Sequence, residues 1–147
     1  MENALLSQDE YYLKYAEIIA EDHGACRRRK IGCILTDIDH KPLALEANGR
    51  PDVLGSCMND PCPDAHVPAG AGAKGCYALH AEMKALMQCD PEMVFTAYST
   101  KAPCTACVIS LLQTGCQRIV FRTASNEQTN RQLWEKAGRK WIQLPKE

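Results

Sequence analysis

The sequence predicts an α/β protein: a three-layer αβα sandwich on one mixed five-stranded sheet. Three observations predict it. Strand-length apolar runs alternate with helix-period segments in the order α-β-β-α-β-α-β-α-β, which puts helices on both faces of a sheet. The first two strands are joined by a short turn, so they pair back as a hairpin. The length of 147 residues suits a single domain, 1–147, large enough to bury a core without cross-links.

Each element has its own local signal. In "SQDEYYLKYAEIIAEDHG", Ser7 and Glu10 have capping-box spacing, and Tyr11, Leu13, Tyr15, Ile18 and Ile19 recur at helical spacing. Gly24 is a suitable stop. "KIGCILTD" and "PLALEANG" read as strands around the turn "IDHK". The stretch from Asn48 to Gly75 is rich in Gly, Pro, Cys, Asp and Asn, and such a long loop needs a use or a cross-link. With the residues leading to the next helix it forms a cysteine-rich insert, 48–78. Helix follows over about 80–89, strand at "EMVFTAYS", helix over about 104–113 and strand at "CQRIVFRT". "NEQTNRQLWEKAG" is a last helix and "KWIQL" a last strand.

Composition narrows the function. The net charge of −1 lacks the basic excess of a duplex-binding protein, so no duplex nucleic acid is expected as partner. No apolar run approaches the ~20 residues that span a bilayer. "MENALLSQDEYYLKY" looks like neither a signal nor a transit peptide, so a soluble cytoplasmic protein is expected. Nine cysteines then point to metal or catalysis rather than disulfides. Cys33, Cys89 and Cys116 sit where a small packing residue fits. Cys26, Cys57, Cys62, Cys76, Cys104 and Cys107 lie in loops or at helix starts, where packing explains them less well.

Two segments carry chemistry. Cys104 and Cys107 have C-x-x-C spacing at a helix start, so both sulfurs share a face and the helix N-terminus favours their ionisation. Pro103 suits the position just before. His80 opens another helix. Two thiolates and one imidazole are the ligand set of a catalytic zinc that keeps a fourth position for water. Taken singly, the cysteines could be a redox pair, His80 a cap, and Glu82 a favourable first-turn charge. Together, H-A-E followed by P-C-x-x-C joins a metal to a carboxylate that can move a proton, which hydrolysis requires and a structural site does not.

On "HAEMKAL" (80–86), "PCTAC" (103–107), "CRRRKIGCIL" (26–35) and "NGRP" (48–51), the chain resembles the cytidine/deoxycytidylate deaminase superfamily. The resemblance covers about residues 8–123 and is nearest to the deoxycytidylate deaminases. It implies a cytidine deaminase-like fold and hydrolysis of dCMP to dUMP and ammonia. It also implies zinc held by His80, Cys104 and Cys107, with Glu82 carrying the proton. By the family pattern, Arg28 and Asn48 would touch the nucleotide, Ala78 would flank the base, and Phe121 and Arg122 would line the site. The resemblance further implies a second, structural zinc drawn from Cys26, Cys57, Cys62, His66 and Cys76, with the choice among these five open. Relatives form homo-oligomers, often hexamers, and many answer to dCTP and dTTP. Two other readings stand beside this one: a deaminase of another nucleoside, nucleotide or RNA base, and a zinc-stabilised interaction module without turnover.

Overall fold

The computed structural model describes residues 2–23, 30–55, 66, 78–124 and 128–146. Helix α1 (Glu2–His23) leads into β1 (Gly32–Thr36) and β2 (Pro42–Ala47), followed by α2 (Ala81–Leu86), β3 (Thr96–Lys101), α3 (Thr105–Leu112), β4 (Arg118–Thr123), α4 (Gln128–Lys136) and β5 (Lys140–Gln143). The strands form one sheet in the order β2-β1-β3-β4-β5. β1 is antiparallel to β2 and to β3, whereas β3–β4 and β4–β5 are parallel. That is the mixed five-stranded sheet expected. The two parallel pairs need crossovers, and α3 and α4 supply them.

Alternation along the strands divides the core into two layers. Cys33, Leu35, Ala97, Ile119 and Phe121 face α2, α3 and α4, packing with Ala81, Ala85, Val108, Leu111 and Trp134. Ile34, Tyr98 and Val120 point the other way, toward Tyr12, Leu13, Ala16 and Ile19 of α1. The approach of α1 is close. A Cβ on Gly32 would stand 2.1 Å from the Ala16 carbonyl oxygen, so no larger residue fits there without moving the helix. Arg139 braces the end of α3 by donating to the carbonyls of Leu111 and Leu112 and, beyond the helix, of Cys116. Its guanidinium also lies 5.1 Å from the Trp134 ring centroid. No described helix is long and apolar enough to cross a membrane.

Three boundaries differ from the sequence expectation. α1 begins at Glu2, so Ser7 lies within a helix rather than capping one. Glu10 is engaged instead by Arg122. β3 begins at Thr96 because Asp90 accepts the Glu92 amide and starts a 3-10 turn over Pro91–Met93. α2 ends at Leu86, short of Cys89.

A buried polar clamp joins α1 to the sheet. Asp9 accepts from Arg118 at 2.7 and 3.2 Å and from the Tyr98 hydroxyl at 2.8 Å. Burial and the Asp9 charge push the Tyr98 phenol well above its ordinary range, which keeps it a donor. Asp9→Ala would leave Arg118 without its carboxylate in a mostly buried site. The expected cost is about 3–5 kcal/mol. Urea denaturation should show this as a lower midpoint at unchanged m.

Candidate metal centre

The site is built where two helices begin. His80 is the N-cap of α2 and Cys104 the N-cap of α3, both with extended backbone. Cys107 sits one turn into α3 and is buried. The β3–α3 connection brings Cys104 and Cys107 to the end of β3, and α2 lies across the same end of the sheet. Lys84 holds α2 in place through ion pairs to Asp52 at 3.0 Å and Glu46 at 3.9 Å, and Gln88 donates to Glu46. An antiparallel bridge between Gly49 and Leu79 fixes the approach to His80.

The three expected ligands converge. The Nδ1 of His80 lies 3.3 Å from Cys104 Sγ and 3.4 Å from Cys107 Sγ. All three ligand atoms lie within 4.8 Å of one another. Tetrahedral zinc with ordinary Zn–S and Zn–N bonds sets nitrogen and sulfur about 3.5 Å apart, so the spacing fits one ion. The protonation pattern fits as well. Hydrogen bonds from Cys107 and His80 hold the Cys104 thiol down at about 3. The bond to Cys104, burial and the Glu82 carboxylate push Cys107 up. Two sulfurs sharing one proton is what a dication would replace, letting both ionise.

Glu82 lies in the first turn of α2, 4% exposed. Its Oε1 accepts from the Ser99 hydroxyl at 2.7 Å, and its Oε2 lies 3.5 Å from Cys107 Sγ. Glu82 is not one of the three donors that lie within 4.8 Å of one another, yet its Oε2 reaches one of them. The arrangement can hold a metal, leave room for water and exchange protons with it.

Two supporting residues escaped the sequence reading. Ser99 is fully buried on β3, and its trace in the sequence is a hydroxyl on the same face as Ala97. Asn130 of α4 is also fully buried; it donates to the Pro103 carbonyl and accepts from the Thr105 hydroxyl, gripping the turn that carries Cys104. A partner that grips the turn of a ligand as Asn130 does changes metal affinity by about 10–100-fold. Asn130→Ala should therefore lose zinc to a competing chelator at least about tenfold more readily than wild type. Metal exchange at equal folded fraction is the measurement.

The other expected site residues fall in different places. Asn48 is buried, accepts the Ile31 amide on Oδ1 at 2.8 Å, and sits next to the Gly49–Leu79 bridge. Ala78 is half-buried beside Leu79. Phe121 is in the core, edge-on to Trp141 at 5.1 Å. Arg122 follows Phe121 on β4 and lines a cavity with Lys30, Ile31, Thr100 and Lys101. It shares a sheet face with Val120, toward α1, and its guanidinium is held by Glu10, Glu17 and the Pro145 carbonyl. Arg28, Cys26, Cys57, Cys62 and Cys76 lie outside the described residues; His66 is exposed. Cys33 and Cys116 are packing thiols: burial raises the first strongly and the second to about 12.

Comparison with known proteins agrees with this geometry. A sequence model of the cytidine and deoxycytidylate deaminase zinc-binding region matches residues 6–123. The deoxycytidylate deaminase of Mycobacterium phage D29 is 34% identical over 122 residues, covering 77% of this chain and 92% of the phage enzyme. The deoxycytidylate deaminase of Saccharomyces cerevisiae is 30% identical over 118 residues, 78% of this chain. This chain spans 37% of the length of that yeast enzyme. The dCMP deaminase of cyanophage S-TIM5, crystallised with dCMP and dUMP, has the same fold, with a TM-score of 0.73 at 23% identity over 92% of this chain and 95% of that one. With a family pattern running through most of its length and the family's three metal donors gathered in space, the chain belongs to the cytidine and deoxycytidylate deaminase family.

Proposed function

We propose that this protein hydrolyses dCMP to dUMP with release of ammonia. The observation that carries the reading is the convergence of His80, Cys104 and Cys107 beside a buried Glu82. The choice of dCMP is supported by the relatives, which are deoxycytidylate deaminases in a phage and in yeast.

Zinc held by these three residues would supply a water of lowered pKa. The chain's own residues do the rest. Glu82 accepts the water's proton, passes it to N3 of the cytosine ring and then serves the departing amine. By holding the ion, His80, Cys104 and Cys107 would fix where that water stands relative to the bound base. We assign the nucleotide side to Asn48 and Ala78, which flank the bridge next to His80, and to Arg28, whose guanidinium suits a phosphate. Phe121 and Arg122, near the end of β4, enter the proposal as residues that line the nucleotide site.

The deciding experiment incubates the zinc-loaded protein with dCMP, CMP, deoxycytidine, dCTP and an adenosine-containing RNA, and measures ammonia. Release from dCMP at the highest kcat/KM is expected. Preferential release from another substrate moves the activity to that base, and no release from any of them leaves a binding module.

Two further assignments accompany this one. Cys26, Cys57, Cys62, His66 and Cys76 are proposed to supply a second, structural zinc to the insert, as four ligands would knot a loop with little core of its own. One zinc per chain, with Cys62→Ala fully stable, would remove it. A homo-oligomer is proposed as the working form, supported by Tyr11, Tyr15 and Ile18, exposed along one face of α1. Sedimentation at assay concentration tests it.

A further inference from the structure

We propose that Ser99 is a positioning residue that gives the two oxygens of Glu82 different tasks: Oε1 is held by the protein, and Oε2 carries the proton. The inference rests on the deaminase reading for its chemistry, but on geometry for its residues. Ser99 is 0% exposed on the inner face of β3, where its neighbours Ala97, Cys33 and Phe121 are apolar. A hydroxyl in such surroundings must be hydrogen-bonded to be tolerated. It donates to Glu82 Oε1 at 2.7 Å, and Oε2 is thereby turned toward Cys107 Sγ, 3.5 Å away.

The orientation matters because deamination uses the carboxylate more than once. The overall change is dCMP + H2O → dUMP + NH3, with no change of oxidation state. The first proton of water passes to Glu82 and on to N3 as the oxygen bonds to C4. The second passes by the same route to the amino nitrogen as the C4–N bond breaks and the C4 carbonyl forms. One oxygen must meet the water, N3 and the amine in turn, within hydrogen-bond reach of each. A carboxylate free to swing would present either oxygen to any of them. The serine hydrogen takes up one lone pair of Oε1 and fixes the plane of the carboxylate, which leaves Oε2 the freer acceptor.

Sequence spacing could not reveal this, since Ser99 and Glu82 are 17 residues apart on different elements. The role is distinct from metal holding, because Ser99 is not one of the three gathered donors and is linked to them through Glu82.

Ser99→Ala removes the donor and little else. In the zinc-loaded protein it should lower kcat for dCMP by at least about tenfold while KM stays within about threefold. Zinc content and melting temperature should be close to wild type. Ser99→Thr keeps the hydroxyl on a strand that suits a β-branched residue, and should hold kcat within about threefold of wild type. A crystal structure of zinc-loaded Ser99→Ala should show the Glu82 carboxylate rotated from its present orientation. Three results would overturn the proposal. They are a wild-type kcat for Ser99→Ala, an unmoved carboxylate in its crystal, or equal impairment of the Ala and Thr variants at full zinc and unchanged stability. If the wild-type protein is inert on dCMP, the substrate reading fails by itself, and the crystal of the alanine variant still decides for or against Ser99.

Discussion

Glu82→Gln should keep its zinc and lose turnover by about 10²–10⁴-fold. The substitution preserves shape: Ser99 can still donate to the side-chain oxygen now held at Oε1. What disappears is the ability to accept and return a proton next to the open metal position. None of the three ligands is touched, so one zinc per chain at this site should survive dialysis. Removing a negative charge beside the cysteine sulfurs relieves like-charge repulsion, so the melting temperature should hold or rise. Metal analysis and steady-state kinetics on one preparation separate the outcomes. Zinc loss, or turnover near wild type, would show that Glu82 has been given the wrong task.

Cys107→Ser should do the reverse. Cys107 is 1% exposed and supplies the most deeply placed donor, and a serine hydroxyl does not ionise to replace a thiolate. Zinc per chain should fall by one, and ammonia release from dCMP should drop to the background of metal-free protein. The loss should extend to folding: Cys104, His80 and Glu82 would face one another without the cation that relates them. Cys116→Ser is the contrasting control. That thiol donates to the Arg118 carbonyl from within the core, far from ionising at neutral pH, and its change should leave metal content alone. If Cys107→Ser binds zinc as tightly as wild type, the metal lies elsewhere.

The parts of this protein that could be read from sequence are those set by short-range spacing. Cys104 and Cys107 share a helix face because they are three apart, and His80 and Glu82 lie at a helix start for equally local reasons. The strands were legible as apolar runs, and their alternation with helices implied one mixed sheet, though not the order of strands across it. What depends on meeting across the fold was not legible. The ion pairs of Arg122 with Glu10 and Glu17 are one case: the two-residue period of β4 decides its face, and Val120 shows that this face belongs to α1. Glu10 looked like half of a cap because Ser7 precedes it by three; the helix reaches back to Glu2, and Arg122 competes for that carboxylate. Ser99 and Asn130 gave little warning, being single polar residues whose partners come from other elements.

The paired backbone bonds between Gly49 and Leu79, 2.8 and 3.1 Å long, have a consequence for tolerance to change. They bring Gly49 side by side with Leu79, a single residue before His80. The entropy of closing what lies between rises only with the logarithm of its length, about 0.6 kcal/mol per doubling. A change in the length of the stretch between them therefore alters the closure entropy little, and the bridge still holds the imidazole at its address.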